Sequence, residues 1–242
     1  MEGQHWREKD WLCHLYEGEG ALPLVVVPYL QGDGQSLKTA CTSLKTPPFH
    51  LLVVNHDDWN DVYSPWQLPS PFEQGVLFKG AGAETLASLV ESVLPSAEAH
   101  LQENVNERAL VGYSMAGLFA LYGVMASDAF TMGASVSGSL WAPRLEDFLR
   151  AQLPKHSPGR FYFSLGNKER KTRNPLLVPL ATQTTEAERL LREAGVQTTY
   201  EINPGNHFTE PDERVARAIR WLLMPSCLHA KRQPLWGCLF RF

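Results

Sequence analysis

Apolar residues fall in two rhythms along this chain. Unbroken apolar runs at 22–30 ("LPLVVVPYL"), 49–55 ("FHLLVVN"), 108–112 ("RALVG"), 132–137 ("MGASVS") and 160–166 ("RFYFSLG") show no alternation. They predict strands buried on both faces. Helical spacing of apolar positions predicts helices over 84–103, 115–127, 145–153, 180–194 and 210–223. One more apolar run, "WLCHLY" at 11–16, is joined by the turn-rich "EGEG" to the run at 22–30, so the two are expected to form a hairpin at a sheet edge. Strand and helix alternate almost to the end of the chain. That order predicts an α/β fold with a mostly parallel central sheet, an antiparallel N-terminal edge and helices on both faces, and it places ligands beyond the carboxyl ends of the strands.

The connections after strands therefore carry the functional interest. Residues 55–82 form a long, Pro-rich, aromatic connection, a candidate lid or substrate wall. Residues 225–242 differ in character from what precedes them, and no role is assigned to that tail. With no internal repeat and no linker, residues 1–224 are expected to form one domain, a common size for a single α/β unit.

Composition narrows the function classes. A net charge of -4 gives no electrostatic reason for nucleic acid or an anionic membrane as partner, which leaves a small molecule. The first residues lack a basic stretch followed by an apolar one, and no apolar run is long enough to span a bilayer, so a cytoplasmic location is expected. Cys13, Cys41, Cys227 and Cys238 are widely spaced, without metal-ligand spacing, and read as free thiols.

The chemistry gathers around "RALVGYSMAGLFALYG". Ser114 stands between a predicted strand and an apolar helix, with Gly112 two places before it; two places after it stands Ala116, with Gly117 one step later. A nucleophile elbow needs a strand, a sharp turn bearing the serine, a helix beneath it and small residues nearby. Gly112 and Ala116 meet the demand for little volume, and Gly117 is read as a helix-packing residue. The plain alternative is a strand-turn-helix with an incidental serine.

A serine hydroxyl needs a base to take its proton. Of eight histidines, His207 in "EINPGNHFTEPDERV" lies in a loop after the last predicted strand and before the last helix, with His56 the next candidate. An acid that orients the imidazole is expected near the end of an intervening strand, where Glu169 sits in "RFYFSLGNKERKTRNP". Asp128, Glu146, Asp147, Glu186, Glu188 and Glu193 have surface readings instead.

Four stretches, "VGYSMAGLFALYG", "SGSLWAP", "SLGNKERKTRN" and "GNHFTE", together resemble the enterochelin-esterase-like and esterase-D-like branch of the α/β-hydrolases, which also contains the antigen 85 mycolyltransferases. The resemblance spans residues 11–223. It implies the three-layer α/β-hydrolase fold and a serine hydrolase or acyl transferase, with Ser114 as nucleophile, His207 as general base and then acid, and Glu169 as the orienting carboxylate. It further implies an oxyanion hole made by the amide after the nucleophile, Met115, and by the amide after an Asp-Gly pair. In "YLQGDGQSL" that second amide is Gln35. "NHDDWNDVYSPWQ" resembles a family segment near the site, although Asn60 and Asp61 stand where an arginine is common. Trp59, Tyr63, Trp66 and Trp141 are candidates for the walls of an acyl or aromatic pocket, with plain packing as the other reading.

The expectation is an esterase that cleaves a small-molecule carboxylic ester through an acyl-serine, with no cofactor and no metal. Its rivals are a siderophore trilactone esterase, for which Lys168, Arg170, Lys171 and Arg173 supply charge, and a non-catalytic binding protein on the same fold. A metal site on His56, Asp57 and Asp58 is disfavoured because consecutive residues do not readily converge on one ion.

Overall fold

In the computed structural model, residues 3–153, 155 and 157–225 are described. The tail at 226–242, with Cys227 and Cys238, lies outside them, while Cys13 and Cys41 are buried free thiols. The strands are β1 (Gln4–Glu8), β2 (Trp11–Tyr16), β3 (Leu24–Pro28), β4 (His50–Asn55), the short pair β5 (Leu68–Pro69) and β6 (Leu77–Phe78), and then β7 (Arg108–Tyr113), β8 (Met132–Val136), β9 (Arg160–Gly166) and β10 (Gln197–Asn203). The helices are α1 (Gln35–Ser43), α2 (Trp59–Tyr63), α3 (Gly82–Ser88), α4 (Leu94–Ala99), α5 (Met115–Ala126), α6 (Leu145–Gln152), α7 (Leu180–Glu193) and α8 (Pro211–Leu223).

The main sheet has eight strands in the order β1-β2-β4-β3-β7-β8-β9-β10, parallel from β4 to β10 and antiparallel at the β1-β2-β4 edge. One apolar cluster lies between the sheet and α1 and α8, a second between the sheet and the remaining helices. These are the three layers of the α/β-hydrolase fold.

The hairpin expected between the runs at 11–16 and 22–30 does not form. β2 pairs with β1 on one side and with β4 on the other, while β3 lies inside the sheet between β4 and β7. Burial explains the choice: all five residues of β3 are buried, as only an interior strand allows, whereas β1 is polar and mostly exposed, as an edge strand is.

The helix expected over 84–103 is broken in pitch. A π-helical turn at Leu89–Val93 separates α3 from α4, directly before Pro95. Proline has no N–H to give and its ring crowds the carbonyl four residues back, so a wider turn ahead of it relieves the contact. The connection at 55–82 contains α2 and the β5-β6 pair, and Asn174 Nδ2 donates to the Pro71 carbonyl at 2.5 Å. This bond ties the long connection to the stretch just beyond Glu169.

Candidate active site

Four neighbouring parallel strands deliver their carboxyl ends to one place. β7 is followed directly by Ser114 and β8 by Ser137, β9 leads within three residues to Glu169, and β10 leads through Pro204, Gly205 and Asn206 to His207. Parallel strands put their carboxyl ends on one side of the sheet, so residues far apart in sequence meet there.

Ser114 has φ 58 and ψ -123, a conformation that L residues rarely adopt. Strain of this kind costs about 1–3 kcal/mol and persists only where the surroundings impose it. Here the Ser114 amide donates to the Val136 carbonyl at 3.1 Å, and the Ser114 carbonyl accepts from the Ser139 amide at 2.9 Å. Below the turn, α5 is buried along nearly its whole length against β7 and β8. Close approach of that helix requires the small residues. A Cβ on Gly112 would lie 1.9 Å from the Ala116 carbonyl oxygen, and one on Gly117 would lie 2.7 Å from Gly138 Cα. Ala116, 0 % exposed, fits as it stands.

His207 Nε2 lies 3.1 Å from Ser114 Oγ, and His207 Nδ1 lies 2.8 Å from Glu169 Oε2. Because an ionised carboxylate only accepts, it selects the tautomer with the proton on Nδ1, which leaves Nε2 free to accept from the serine hydroxyl. The histidine loop is fastened from several sides. Tyr113 donates its hydroxyl to the His207 carbonyl, the Lys168 amide donates to the Gly205 carbonyl at 3.0 Å, and the Gly205 amide donates to Asn167 Oδ1 at 3.1 Å.

Glu169 Oε1 accepts from the Gly166 amide at 2.6 Å, from the Ser137 hydroxyl at 2.8 Å and from Arg214 Nη1 at 3.3 Å. Burial, with the side chain only 5 % exposed, pushes the carboxyl up; the hydrogen bond and charge of His207, then the Gly166 and Ser137 donors, outweigh it and hold Glu169 below its ordinary value of 4.5. A carboxyl depressed in the folded state contributes stability above its unfolded value, and that contribution is lost as the pH falls through the folded value. Urea denaturation of the wild type and of Glu169→Gln is therefore expected to show a stability gap that narrows as the pH drops below about 4.5. A gap that stays constant over that range would contradict this account.

Met115 is the first residue of α5, so its amide has no acceptor within the helix and lies at the positive end of the helix dipole. Gln35 is placed differently. Its amide donates to Asp33 Oδ1 at 3.0 Å, closing a local turn ahead of α1. Of the aromatic candidates, Tyr63 and Trp141 are core residues, 0 % and 4 % exposed, with Tyr63 packed among Trp11, Trp59 and Phe119. Trp59 and Trp66 are half-buried; Trp66 lies beside Phe148 and under Arg144. His56 packs edge-on against Trp11 and accepts from the Asp58 amide. Among the described residues, no group of three His, Cys, Asp or Glu side chains is placed to hold a metal ion.

Three residues that the sequence reading passed over belong to this arrangement: Tyr113, Ser137 and Arg214. Arg214 had a readable signal, since it shares the helical face of Ala218 and Leu222, where a surface arginine has no reason to be.

A serine at a strained strand-to-helix turn, hydrogen-bonded to a histidine that a carboxylate orients, on a mainly parallel sheet between two helical layers, defines the α/β-hydrolase class. Within it the chain belongs to the Esterase family, whose model, described as Putative esterase, matches residues 29–211. A protein of Bacillus subtilis (strain 168), Uncharacterized protein YbbA, is 22 % identical over 215 residues, covering 84 % of this chain and 86 % of that one. Among solved structures, the IroE-like serine hydrolase from Shewanella oneidensis superposes with a TM-score of 0.72 at 18 % identity, over 92 % of this chain and 80 % of that one. The siderophore hydrolase EstB from Aspergillus nidulans gives 0.71 at 16 % identity, over 92 % and 94 %. No helix of the described residues is long and apolar enough to cross a membrane.

Proposed function

We propose that this protein is a serine esterase that cleaves a small-molecule carboxylic ester through an acyl-serine intermediate. The observation that carries the reading is the unbroken pair of hydrogen bonds from Ser114 Oγ to His207 Nε2, 3.1 Å, and from His207 Nδ1 to Glu169 Oε2, 2.8 Å. Ser114 Oγ attacks the carbonyl carbon while its proton passes to Nε2, and Glu169 stabilises the imidazolium so formed. The carbonyl oxygen, now negative, is received by the Met115 amide at the N-terminus of α5 and by a second backbone amide. Each such donor is worth about 3 kcal/mol in the transition state. The imidazolium returns the proton to the departing alkoxide; water, activated by the same histidine, then releases the acid and restores Ser114.

A fluorophosphonate probe tests this directly. Intact protein is expected to gain one phosphonyl adduct that peptide mapping places on Ser114, absent from Ser114→Ala and slow to form in His207→Ala. A wild type that takes up no adduct would remove the reading and leave a non-catalytic binding protein on the same fold, and undiminished labelling of Ser114→Ala would show that Ser114 is not the nucleophile.

A second reading, hydrolysis of a siderophore-type trilactone, is favoured by the name of one structural neighbour, the siderophore hydrolase EstB, and by Lys168, Arg170, Lys171 and Arg173, all exposed around Glu169. Comparing turnover of a catecholate trilactone with that of simple acyl esters separates the two.

A further inference from the structure

The acid and the histidine come from different strand ends, and one buried side chain touches both neighbourhoods. Arg214, in the first turn of α8, is 0 % exposed. Its Nη1 donates to Ser137 Oγ at 3.0 Å and to Glu169 Oε1 at 3.3 Å; its Nη2 donates to the carbonyls of Pro204 at 2.8 Å and Asn206 at 3.0 Å. Pro204 and Asn206 are in the loop that presents His207. A guanidinium is expensive to bury, and packing alone does not call for one at this position. Its companions on that face of α8 are Val215, Ala218, Ile219 and Leu222, so an apolar side chain would complete the stripe with no charge to desolvate.

We propose that Arg214 is a positioning residue of the esterase reaction, a planar brace that sets the Glu169 carboxylate and the His207 loop at a fixed separation. The proposal rests on the reading of Ser114, His207 and Glu169 as a hydrolytic relay. Three donors, from Gly166, Ser137 and Arg214, converge on Oε1 of Glu169, which stops the carboxylate from turning and leaves Oε2 for His207 alone. The other arm of the same guanidinium holds the loop by two carbonyls, one of them on the residue just before His207. Because both arms belong to one rigid plane, the acid and the loop cannot drift independently. Lysine would keep the charge but not this fork.

The test compares wild type, Arg214→Ala, Arg214→Lys and Ser114→Ala on a short p-nitrophenyl ester, with circular dichroism to establish the folded fraction of each. Misplacing a catalytic group by an ångström costs about 100-fold in rate, so kcat per folded molecule is expected to fall by about that factor in Arg214→Ala and by less in Arg214→Lys, with KM nearly unchanged. Guanidinium ion at millimolar concentration is expected to restore part of kcat to Arg214→Ala while ammonium does not, a response that lost packing alone would not give. Should Arg214→Ala fail to fold, Arg214→Lys decides, by a lowered kcat at unchanged KM. Full kcat per folded molecule in the variant that folds, or a loss in Arg214→Ala that guanidinium leaves untouched, overturns the brace while leaving the relay in place. Activity that survives in Ser114→Ala overturns the relay, and the brace with it.

Discussion

Replacing Ser114 by alanine is expected to lower kcat for short p-nitrophenyl esters by about 10⁴-fold or more while leaving the fold intact, the scale on which loss of a serine nucleophile acts. Alanine removes one oxygen and nothing that the turn depends on, since the bonds holding residue 114 run through its backbone, from its amide to Val136 and from the Ser139 amide to its carbonyl. The remaining groups, the α5 amides and His207, are then left with a substrate but no nucleophile of the chain. His207→Ala should fall almost as far, because the two side chains act as one unit and their losses do not add. Steady-state kinetics on purified variants measures this; a Ser114→Ala enzyme within tenfold of the wild type would mean that the hydroxyl at the elbow is not the attacking group.

The largest effect on the fold itself is expected at Gly112. A methyl group there would meet the Ala116 carbonyl oxygen at 1.9 Å, the Ala116 carbonyl carbon at 2.2 Å and the Gly117 amide nitrogen at 2.7 Å. All three are backbone atoms, so no rotamer change makes room. Either α5 lifts away from β7 and β8, opening the core around Leu118 and Phe119, or the elbow distorts. Gly112→Ala is therefore expected to cost about 3 kcal/mol or more, at the upper end of overpacking effects, and to abolish ester hydrolysis in whatever fraction still folds. Gly159→Ala serves as the control, because its new carbon would meet only the Thr131 carbonyl oxygen, at 3.6 Å. Urea titration of both variants reads the difference; equal midpoints would show that the helix has room to shift.

The parts of this molecule that are legible in its sequence are those fixed by local pattern. Unbroken apolar runs mark β3, β4, β7, β8 and β9 because a strand covered on both faces has no polar position to spare. Ser114, His207 and Glu169 are legible as candidates because each lies just past a strand, the place toward which a parallel sheet directs its loops. Partner choice is not local. Nothing in "WLCHLY" tells β2 to pair with β1 and β4 rather than with β3, and the turn between the β2 and β3 runs looks like a hairpin turn. Aromatic residues pose the same difficulty: Tyr63 and Trp141 have the composition of pocket walls, and only packing shows that their faces are covered by protein. Gln35 illustrates a third limit, since an Asp two residues upstream can claim an amide for its own turn, and does. Arg214 was missed through its charge; its place on the apolar side of α8 says more than its side-chain type does.

The hydrogen bonds given above to Ser114, His207 and Glu169 come from residues between Tyr113 and Arg214, on strands that are neighbours in the order in which they are made. The long connection at 55–82 comes from the other half of the chain and meets this region through Tyr63, packed against Phe119 of α5, and through the Asn174 to Pro71 bond beyond the acid. Machinery and surroundings are thus carried on separate lengths of polypeptide. The exposed positions of 55–82, such as Phe72 and Leu77, can exchange side chains while Tyr63, Leu68 and Phe78 stay in the core and the distances within the relay, set by β7 to β10 and α8, stay as they are.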